Sequence, residues 1–200
     1  MPRAFSDFER ERLRGRLIEA GKRAINRSGT RALVVDEVTR EAGISKGSFY
    51  SFFSSKEDFV LSVLEDWENR YRSELFAILT EGSGSATERF EQFFSGIRGL
   101  FDREPGLAKL GFVDVLEIMD RLPPERLATH QANDESRIAE AARSWVDAGL
   151  IEATDLPAIP GLLDALFVLA MHRDDFRPGA YEPALQLLSE ALAQRLAQRG

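Results

Sequence analysis

Residues 34–53 have the sequence VVDEVTREAGISKGSFYSFF, and this stretch decides the fold of the N-terminal part of the chain. Val35, Val38 and Ala42 recur at the spacing of one face of a short helix. Gly43 follows directly, and glycine provides the permissive backbone that a tight turn between two helices needs. The pattern therefore predicts a short helix that ends in a turn at Gly43.

A second helix is predicted after this turn. Ser45 is a suitable N-cap, and Phe49 and Phe53 stand four residues apart, as expected for a buried stripe on a helix over residues 45–52. The outward positions hold small, hydroxylic or cationic side chains, namely Lys46, Gly47, Ser48, Tyr50 and Ser51. Such side chains suit a groove lined by phosphates and base edges, so the two helices predict a DNA-reading helix-turn-helix.

The stretch Ala42–Phe59, AGISKGSFYSFFSSKEDF, resembles the helix-turn-helix of TetR-type (tetracycline repressor-like) transcriptional regulators. The shared order is alanine, glycine, a β-branched residue and serine, then glycine, a small hydroxyl residue, an aromatic residue and tyrosine, and later lysine-glutamate. Members of that family often carry histidine or a second tyrosine around positions 51 and 52, where this chain has Ser51 and Phe52. This departure leaves open whether a polar phosphate contact of the family is weakened.

The resemblance implies a three-helix DNA-binding domain over residues 1–56 and a ligand-binding and dimerisation domain over residues 57–200. It further implies a homodimeric repressor that binds a palindromic operator and is released by a small, mainly apolar effector. Arg3, ahead of the first helix, is a further candidate for contact with a neighbouring groove. The DNA-binding residues expected from the resemblance and from their outward positions are Ser45, Lys46, Gly47, Ser48, Tyr50, Ser51 and Lys56.

Charge is distributed unevenly along the chain. Residues 1–56 carry 12 Lys/Arg against 7 Asp/Glu, whereas residues 57–200 carry 14 against 26. A basic end attracts phosphate while an acidic body is repelled by it, which favours one docking orientation. The chain has no cysteine, so it has no disulfide framework. We also find no secretory signal and no apolar run of membrane-spanning length, and we expect a cytoplasmic protein without a membrane partner.

The flanking sequence predicts further helices. Ser6 and Glu9 have the spacing of a capping box for a first helix, and Gly29 is a suitable C-cap. Ser54 or Ser55 caps a long fourth helix, which joins the two predicted domains.

The rest of the chain also has helical patterns. Single helices are predicted over residues 107–119 and about 125–148, and a last helix is predicted with Pro183 at N1, its first residue. Residues 156–171 are apolar nearly all round and are predicted to be buried on more than one side. Since no segment alternates with period two, the predicted fold is all-α.

Aromatic and leucine side chains in this region have two interpretations. They fill a core, or they line an effector cavity and a dimer interface. The candidate ligand-binding residues are Trp67, Tyr71, Phe93, Phe94, Phe112, Trp145, Phe167 and Met171. The candidate interface residues are Leu162, Leu166, Leu185, Leu188 and Leu192.

Two alternatives remain from the sequence. One is a DNA-binding regulator without ligand sensing. The other is a helical metal-dependent enzyme that uses His172, Asp174 and Asp175. Because consecutive residues at a helix end rarely converge on one ion, we predict no metal, no cofactor and no enzymatic activity.

Overall fold

The structure is a computed structural model that describes residues 6–197, without the side chains of residues 98, 101, 102, 105, 108 and 112. Helices make up its regular structure, and no β-strand occurs within the described residues, so the predicted all-α fold is confirmed. In chain order the α-helices are α1 Asp7–Ser28, α2 Val35–Ala42, α3 Lys46–Phe49, α4 Lys56–Glu81, α5 Ala86–Arg103, α6 Pro105–Ala108, α7 Phe112–Asp120, α8 Pro124–Asp147, α9 Ile159–Met171 and α10 Tyr181–Ala197.

The helices form two compact units. The first runs to Asn69 and includes Glu104–Pro123, and the second comprises Arg70–Arg103 and the chain from Pro124 onward. Because α4 spans Lys56–Glu81, it contributes its first half to one unit and its second half to the other. The functional boundary after residue 56 stays a prediction.

Local hydrogen bonds place the ends of α1 as the sequence predicts. The Ser6 hydroxyl oxygen accepts from the Glu9 backbone N–H at 3.3 Å, and the Glu9 carboxylate accepts from the Ser6 N–H at 2.9 Å. At the other end Gly29 has a φ of 78°, which favours glycine. The capping box and the C-cap are therefore confirmed.

The start of α4 is also confirmed. The Ser55 hydroxyl accepts from the Asp58 N–H at 3.0 Å, as an N-cap does. Asp58 in turn accepts from the Ser54 backbone N–H at 2.9 Å. Both serines therefore hold the first turn of the helix.

Close packing of α1 on α4 organises the first unit. A Cβ atom at Gly21 would lie 2.6 Å from Phe59 Cζ and 2.7 Å from Val63 Cγ2, so α4 occupies the space that a side chain there would need. The core beneath this contact is fully buried and includes Leu17, Ile25, Val38, Phe49 and Phe53.

Helix α3 is shorter than the predicted helix over residues 45–52. It contains only four residues, because the chain after Phe49 tightens into a turn. The Ser51 N–H donates to Ser48 O and the Phe52 N–H donates to Phe49 O, which are bonds of 3₁₀ type.

The single helix predicted over residues 107–119 is also wrong. The structure has the short helix α6 and a separate helix α7, which begins after Gly111. Gly111 is extended, with φ −78° and ψ 154°, and its N–H donates to the Asp114 carboxylate at 3.0 Å. This local bond begins a new helix instead of continuing the old one.

The prediction that residues 156–171 are buried on several sides is wrong as well. The stretch consists of a 3₁₀ segment, Ala153–Ala158, and α9, in which only Ile159, Leu166 and Ala170 are buried. Phe167 and Val168 are exposed.

By length and composition, Ala153–Met171 could cross a membrane, since its 19 residues have a mean hydropathy of 1.5, and our expectation that no such run exists is corrected. Its α-helical part has 13 residues. At 1.5 Å per residue that part is about 20 Å long, against about 30 Å of bilayer core.

The second unit has an apolar core between α5, α8, α9 and α10. Phe90, Phe93, Phe94 and Trp145 are buried there together with Leu166. Helix α10 packs on α5 and begins at Tyr181, two residues before the predicted first-turn Pro183.

Candidate nucleic-acid interface

The turn between α2 and α3 has the geometry that its sequence predicts. Gly43 lies in the left-handed region, with φ 67° and ψ 37°. The N–H groups of Gly43 and Ile44 donate to the carbonyls of Arg40 and Thr39, at 3.2 and 3.0 Å, and satisfy the end of α2. Arg16 Nη2 would lie 3.0 Å from a Cβ atom at Gly43, so this position has little room for a side chain.

Hydroxyl groups define the start of α3. The Ser45 hydroxyl accepts from the Ser48 N–H at 3.1 Å, which confirms Ser45 as the N-cap. Ser45 and Ser48 hydroxyls are also 2.9 Å apart, and the Ser51 hydroxyl donates to Ser48 O at 2.6 Å. All three hydroxyls therefore already bond within the protein.

An aromatic cluster supports α3 from below. The ring of Phe49 lies 5.4 Å from that of Phe53 and 5.1 Å from that of Phe59, between centroids. Phe53 and Phe59 are 4.9 Å apart. Such edge and tilted contacts are favourable between buried rings, so the short helix rests on a rigid base.

The structure brings together six of the seven predicted DNA-binding residues. Ser45, Lys46, Gly47 and Ser51 are exposed and Ser48 is half-buried, while Tyr50 is 49% exposed with its ring edge on Phe49. Lys56 lies elsewhere, because its ammonium donates to Arg31 O at 3.1 Å. Arg3 lies outside the described residues.

Carboxylates of α2 pair with cations around this surface. Lys46 Nζ is 3.0 Å from Asp36 Oδ1, and the hydrogen bond that the ammonium donates to Asp36 raises the pKa of Lys46 above its ordinary value. Arg23 pairs with Glu41, and Arg27 with Glu37 at 3.8 Å. Lys46 is therefore a full cation at neutral pH and carries its own counter-charge.

Arg10 and Arg14 of α1 contact the far end of the recognition segment, which we define as residues 45–53. Sequence reasoning missed this placement. The guanidinium of Arg10 donates to Ser51 O at 2.6 Å, and its Cζ lies 4.9 Å from the centroid of the Phe52 ring. Arg14 Cζ lies 5.0 Å from the Phe53 centroid. The spacing of the two arginines places them on one side of α1, but no sequence signal pairs them with residues some 40 positions away.

Residues 17–63, which contain this turn and its aromatic base, match the family described as bacterial regulatory proteins, tetR family. Over this segment the chain is similar to the tetR family. The matched residues extend from the middle of α1 into the second turn of α4. The resemblance found in Ala42–Phe59 is thus confirmed over a longer segment.

Curated transcriptional regulators match about half of the chain. The chain is 33% identical over 98 residues to the transcriptional regulator AcuR of Cereibacter sphaeroides, a stretch that covers 48% of this chain and 41% of AcuR. It is 27% identical over 115 residues to the repressor DhaR of a Mycobacterium species, covering 58% of each. The matches thus span about half the length of these relatives.

Solved structures match over nearly the whole chain. Escherichia coli NemR in its reduced form has a TM-score of 0.63 at 17% identity and covers 92% of this chain and 96% of NemR. Bacillus subtilis FadR, solved in complex with stearoyl-CoA, has a TM-score of 0.55 at 16% identity, and the match covers 92% of this chain and 97% of FadR. At these identities the likeness shows the fold alone, which is the helical fold of tetR-family regulators.

A polar cleft of about 280 Å³ lies elsewhere in the first unit. Arg31 Nε is 2.6 Å from Asp114, and Arg121 is 3.6 Å from Glu57 across it. Lys56 lines the same cleft. The opposite charges compensate one another, so this cleft presents no net attraction for an anion.

Six of the eight candidate ligand-binding residues are buried or half-buried. In the first unit Trp67 is buried; in the second, Tyr71, Phe93, Phe94 and Trp145 are buried and Met171 is half-buried. Phe167 is exposed, and the side chain of Phe112 lies outside the described part of the structure. The indole N–H of Trp145 is buried and has no hydrogen-bond acceptor among the described residues, although Phe76 and Phe93 pack on its ring.

The candidate interface leucines divide into two groups. Leu166 and Leu185 are buried in the core of their own unit, and Leu162 and Leu192 are half-buried beside them. Leu188 is exposed. Together with Phe167, Val168 and Leu187 it belongs to the exposed large apolar side chains of α9 and α10.

The residues of the metal-enzyme alternative do not converge. His172 Nδ1 is 2.6 Å from Asp175 Oδ2, and Arg173 lies 3.7 Å from Asp174. Within residues 6–197, no three histidine or acidic side chains form a group that would hold a metal ion.

Proposed function

We propose that this chain is a DNA-binding transcriptional regulator whose helix α3 reads a major groove. The observation that carries the proposal is the α2–α3 turn, in which Gly43 and Ser45 hold an exposed Lys46 and Tyr50 on a buried aromatic base. A cation at the start of α3 and a hydroxyl-bearing ring directly after its end suit contacts to phosphates and base edges. The tetR-family segment supports the same function. Such a protein acts in the cytoplasm, where bacterial DNA lies.

The experiment is selection of genomic DNA fragments on the purified protein, followed by sequencing. Lys46→Ala serves as the matched variant, because Lys46 is exposed and its loss leaves the core intact. We expect the wild type to enrich a recurrent sequence and the variant to enrich it weakly, since a lost contact costs about 1 to 3 kcal/mol. Fragments that show no common sequence would contradict the proposal.

We further propose that the chain acts as a homodimer on a palindromic operator. Phe167 and Val168 of α9 and Leu187 and Leu188 of α10 are exposed, and exposed apolar surface of this kind commonly marks an interface. Two copies related by a two-fold axis would present two α3 helices to half-sites about 34 to 36 Å apart. The selected sequence should therefore be two-fold symmetric, with half-sites about one helical turn apart.

The proposed regulation is repression relieved by a small, mainly apolar effector. The aromatic core around Trp145 contains a buried indole N–H without an acceptor, and a buried donor without a partner costs about 1 to 3 kcal/mol. An effector with an apolar chain and one carbonyl or carboxylate oxygen would satisfy that donor. The name of DhaR as a repressor supports repression. The structure of FadR in complex with stearoyl-CoA makes fatty acids and their thioesters the first compounds to test.

Reciprocity tests the regulation. If an effector lowers the affinity for the operator, the operator must lower the affinity for the effector by the same factor. A coupling free energy of about 1 to 3 kcal/mol corresponds to a change in affinity of roughly 5- to 150-fold. Trp145→Phe keeps a smaller aromatic side chain and removes the indole donor, so it should lose affinity for the oxygen-bearing effector, and a thermal melt checks that the variant folds. A compound that binds the wild type tightly and leaves operator binding unchanged is not the effector. If every binding compound behaves in this way, the ligand-free alternative stands.

A further inference from the structure

The end of the recognition segment itself offers little to a phosphate. The Ser51 hydroxyl donates to Ser48 O at 2.6 Å, and Phe52 has no polar side-chain atom. Arg10 and Arg14 of α1 bring positive charge to this place. Of the two, Arg10 is the one whose guanidinium bonds the backbone there, at Ser51 O, and it also lies beside the Phe52 ring.

Arg10 differs in its partners from three other cations near this surface. Lys46, Arg23 and Arg27 are each paired with a carboxylate of α2. Within the described residues, Arg10 contacts a carbonyl oxygen and an aromatic ring, neither of which carries a charge. The positive charge of Arg10 is therefore not neutralised by a neighbouring carboxylate in the described part of the chain.

The contacts of Arg10 also leave donors available. A guanidinium has five N–H groups in a planar fork, and Ser51 O takes one of them. Contact with the face of a phenyl ring uses none of the in-plane donors. The remaining N–H groups match the oxygens of a phosphate, which a guanidinium binds in a bidentate manner.

We propose that Arg10 binds a DNA backbone phosphate at the end of the recognition segment, where Ser51 O and the Phe52 ring hold its guanidinium in place. This inference rests on the proposed DNA-binding function and adds a phosphate contact from α1 to it. A phosphate contact fixes the register of a protein on the duplex without reading sequence. Arg10 would thus orient α3 from its far end.

The salt dependence of DNA affinity tests this contact. Each phosphate neutralised by the protein adds about 0.9 to the slope of log affinity against log salt concentration. We would measure binding of a fluorescent random-sequence duplex of about 30 base pairs between roughly 50 and 200 mM salt. No operator is needed, because the electrostatic part of binding is independent of sequence.

The variants are Arg10→Gln and, as matched control, Arg12→Gln. Arg12 is exposed on the same helix, about 200° around its axis from Arg10, and its replacement removes the same charge. Arg10→Gln should lower the slope by about 0.9 and weaken binding about eightfold at roughly 0.1 M salt. Arg10→Lys should keep the slope, and Arg12→Gln should change it by much less.

Thermal melts separate the contact from a purely structural role. If Arg10→Gln does not fold, Arg10→Met supplies a second uncharged variant whose linear side chain still packs on Phe52. A variant that melts lower but keeps the wild-type slope would overturn the inference, as would equal slope changes in the Arg10 and Arg12 variants. A wild-type protein that does not bind the duplex at all would instead overturn the proposed function.

Discussion

The ammonium of Lys46 lies 3.0 Å from the carboxylate of Asp36, so the first residue of α3 is ion-paired within the protein. Both side chains are more than half exposed, and the pair joins the first turn of α2 to the start of α3. In a complex with DNA, a phosphate would compete with Asp36 for Lys46. Asp36 is therefore expected to limit affinity for DNA of any sequence.

Asp36→Asn should tighten binding to a random-sequence duplex on the order of three- to tenfold and steepen its salt dependence, because Lys46 becomes available to phosphate. Fluorescence anisotropy titrations at several salt concentrations measure both quantities. Glu37→Gln is the control, since it removes the same charge from the next position, where the carboxylate is 3.8 Å from Arg27. Equal gains in the two variants would mean that only net charge matters.

Gly43→Ala should lower the free energy of unfolding by about 1 to 2 kcal/mol, because a Cβ atom is unfavourable in the left-handed region. Chemical denaturation measures the loss. Gly47→Ala is the matched control within the same motif: the nearest atom to its new Cβ would be the Ser45 hydroxyl oxygen at an ordinary 3.8 Å. Equal stability of the two variants would show that the turn at Gly43 tolerates a side chain.

Replacement of two glycines of α1 by alanine should change the stability of the protein in opposite directions. Gly21→Ala would place its methyl group 2.6 Å from Phe59 Cζ and should cost about 1 to 3 kcal/mol, as overpacking does. Gly15→Ala meets nothing within 4 Å and should stabilise the helix by roughly 0.5 to 1 kcal/mol. Denaturation midpoints of both variants decide the matter, and a gain in stability at Gly21 would contradict the close contact of α1 and α4.

The surroundings of Lys22 predict that the stability of the protein changes with pH in the alkaline range. Its burial lowers the pKa, but the hydrogen bonds that the Lys22 ammonium donates to Asp66 and Glu19 outweigh that effect, so the pKa of Lys22 lies above its ordinary 10.5. A raised pKa contributes stability that is present below the unfolded value and is lost as pH rises through the folded value. The wild type should therefore lose more stability than Lys22→Met between roughly pH 10 and 12, as measured by denaturation. Parallel curves would contradict this role of Lys22.

Leu187→Glu should give monomers without unfolding the chain. Leu187 is 68% exposed in the single chain, so a carboxylate there is solvated in a monomer but would be buried without a partner in the proposed interface. Light scattering at micromolar concentration measures the mass of the variant, and a thermal melt shows whether it is folded. Gln131→Glu, at an exposed position of α8, is the control and should leave the mass unchanged. A monomeric wild type would remove the basis of the palindromic operator.

Interactions between near neighbours could be predicted from the sequence. The capping box of Ser6 and Glu9, the N-cap at Ser45 and the left-handed turn at Gly43 involve groups three or four residues apart, so residue type and spacing determine them. The segment that defines the family is made of such local signals. This is why the turn and the helix start at Ser45 could be predicted, whereas the DNA contacts of the surface stay a prediction.

Only the tertiary structure decided which side chains meet across the chain and which remain uncovered. The bond from Arg10 to Ser51 O joins residues 41 positions apart, and the pairing of Lys46 with Asp36 depends on the angle of the turn between them. Helix α9 is apolar on most sides, yet Leu166 is buried and Phe167 is exposed, because neighbouring helices cover one side of it and leave the other. Hydrophobicity gives each residue its preference for burial, but the packing of distant elements determines whether that preference is met.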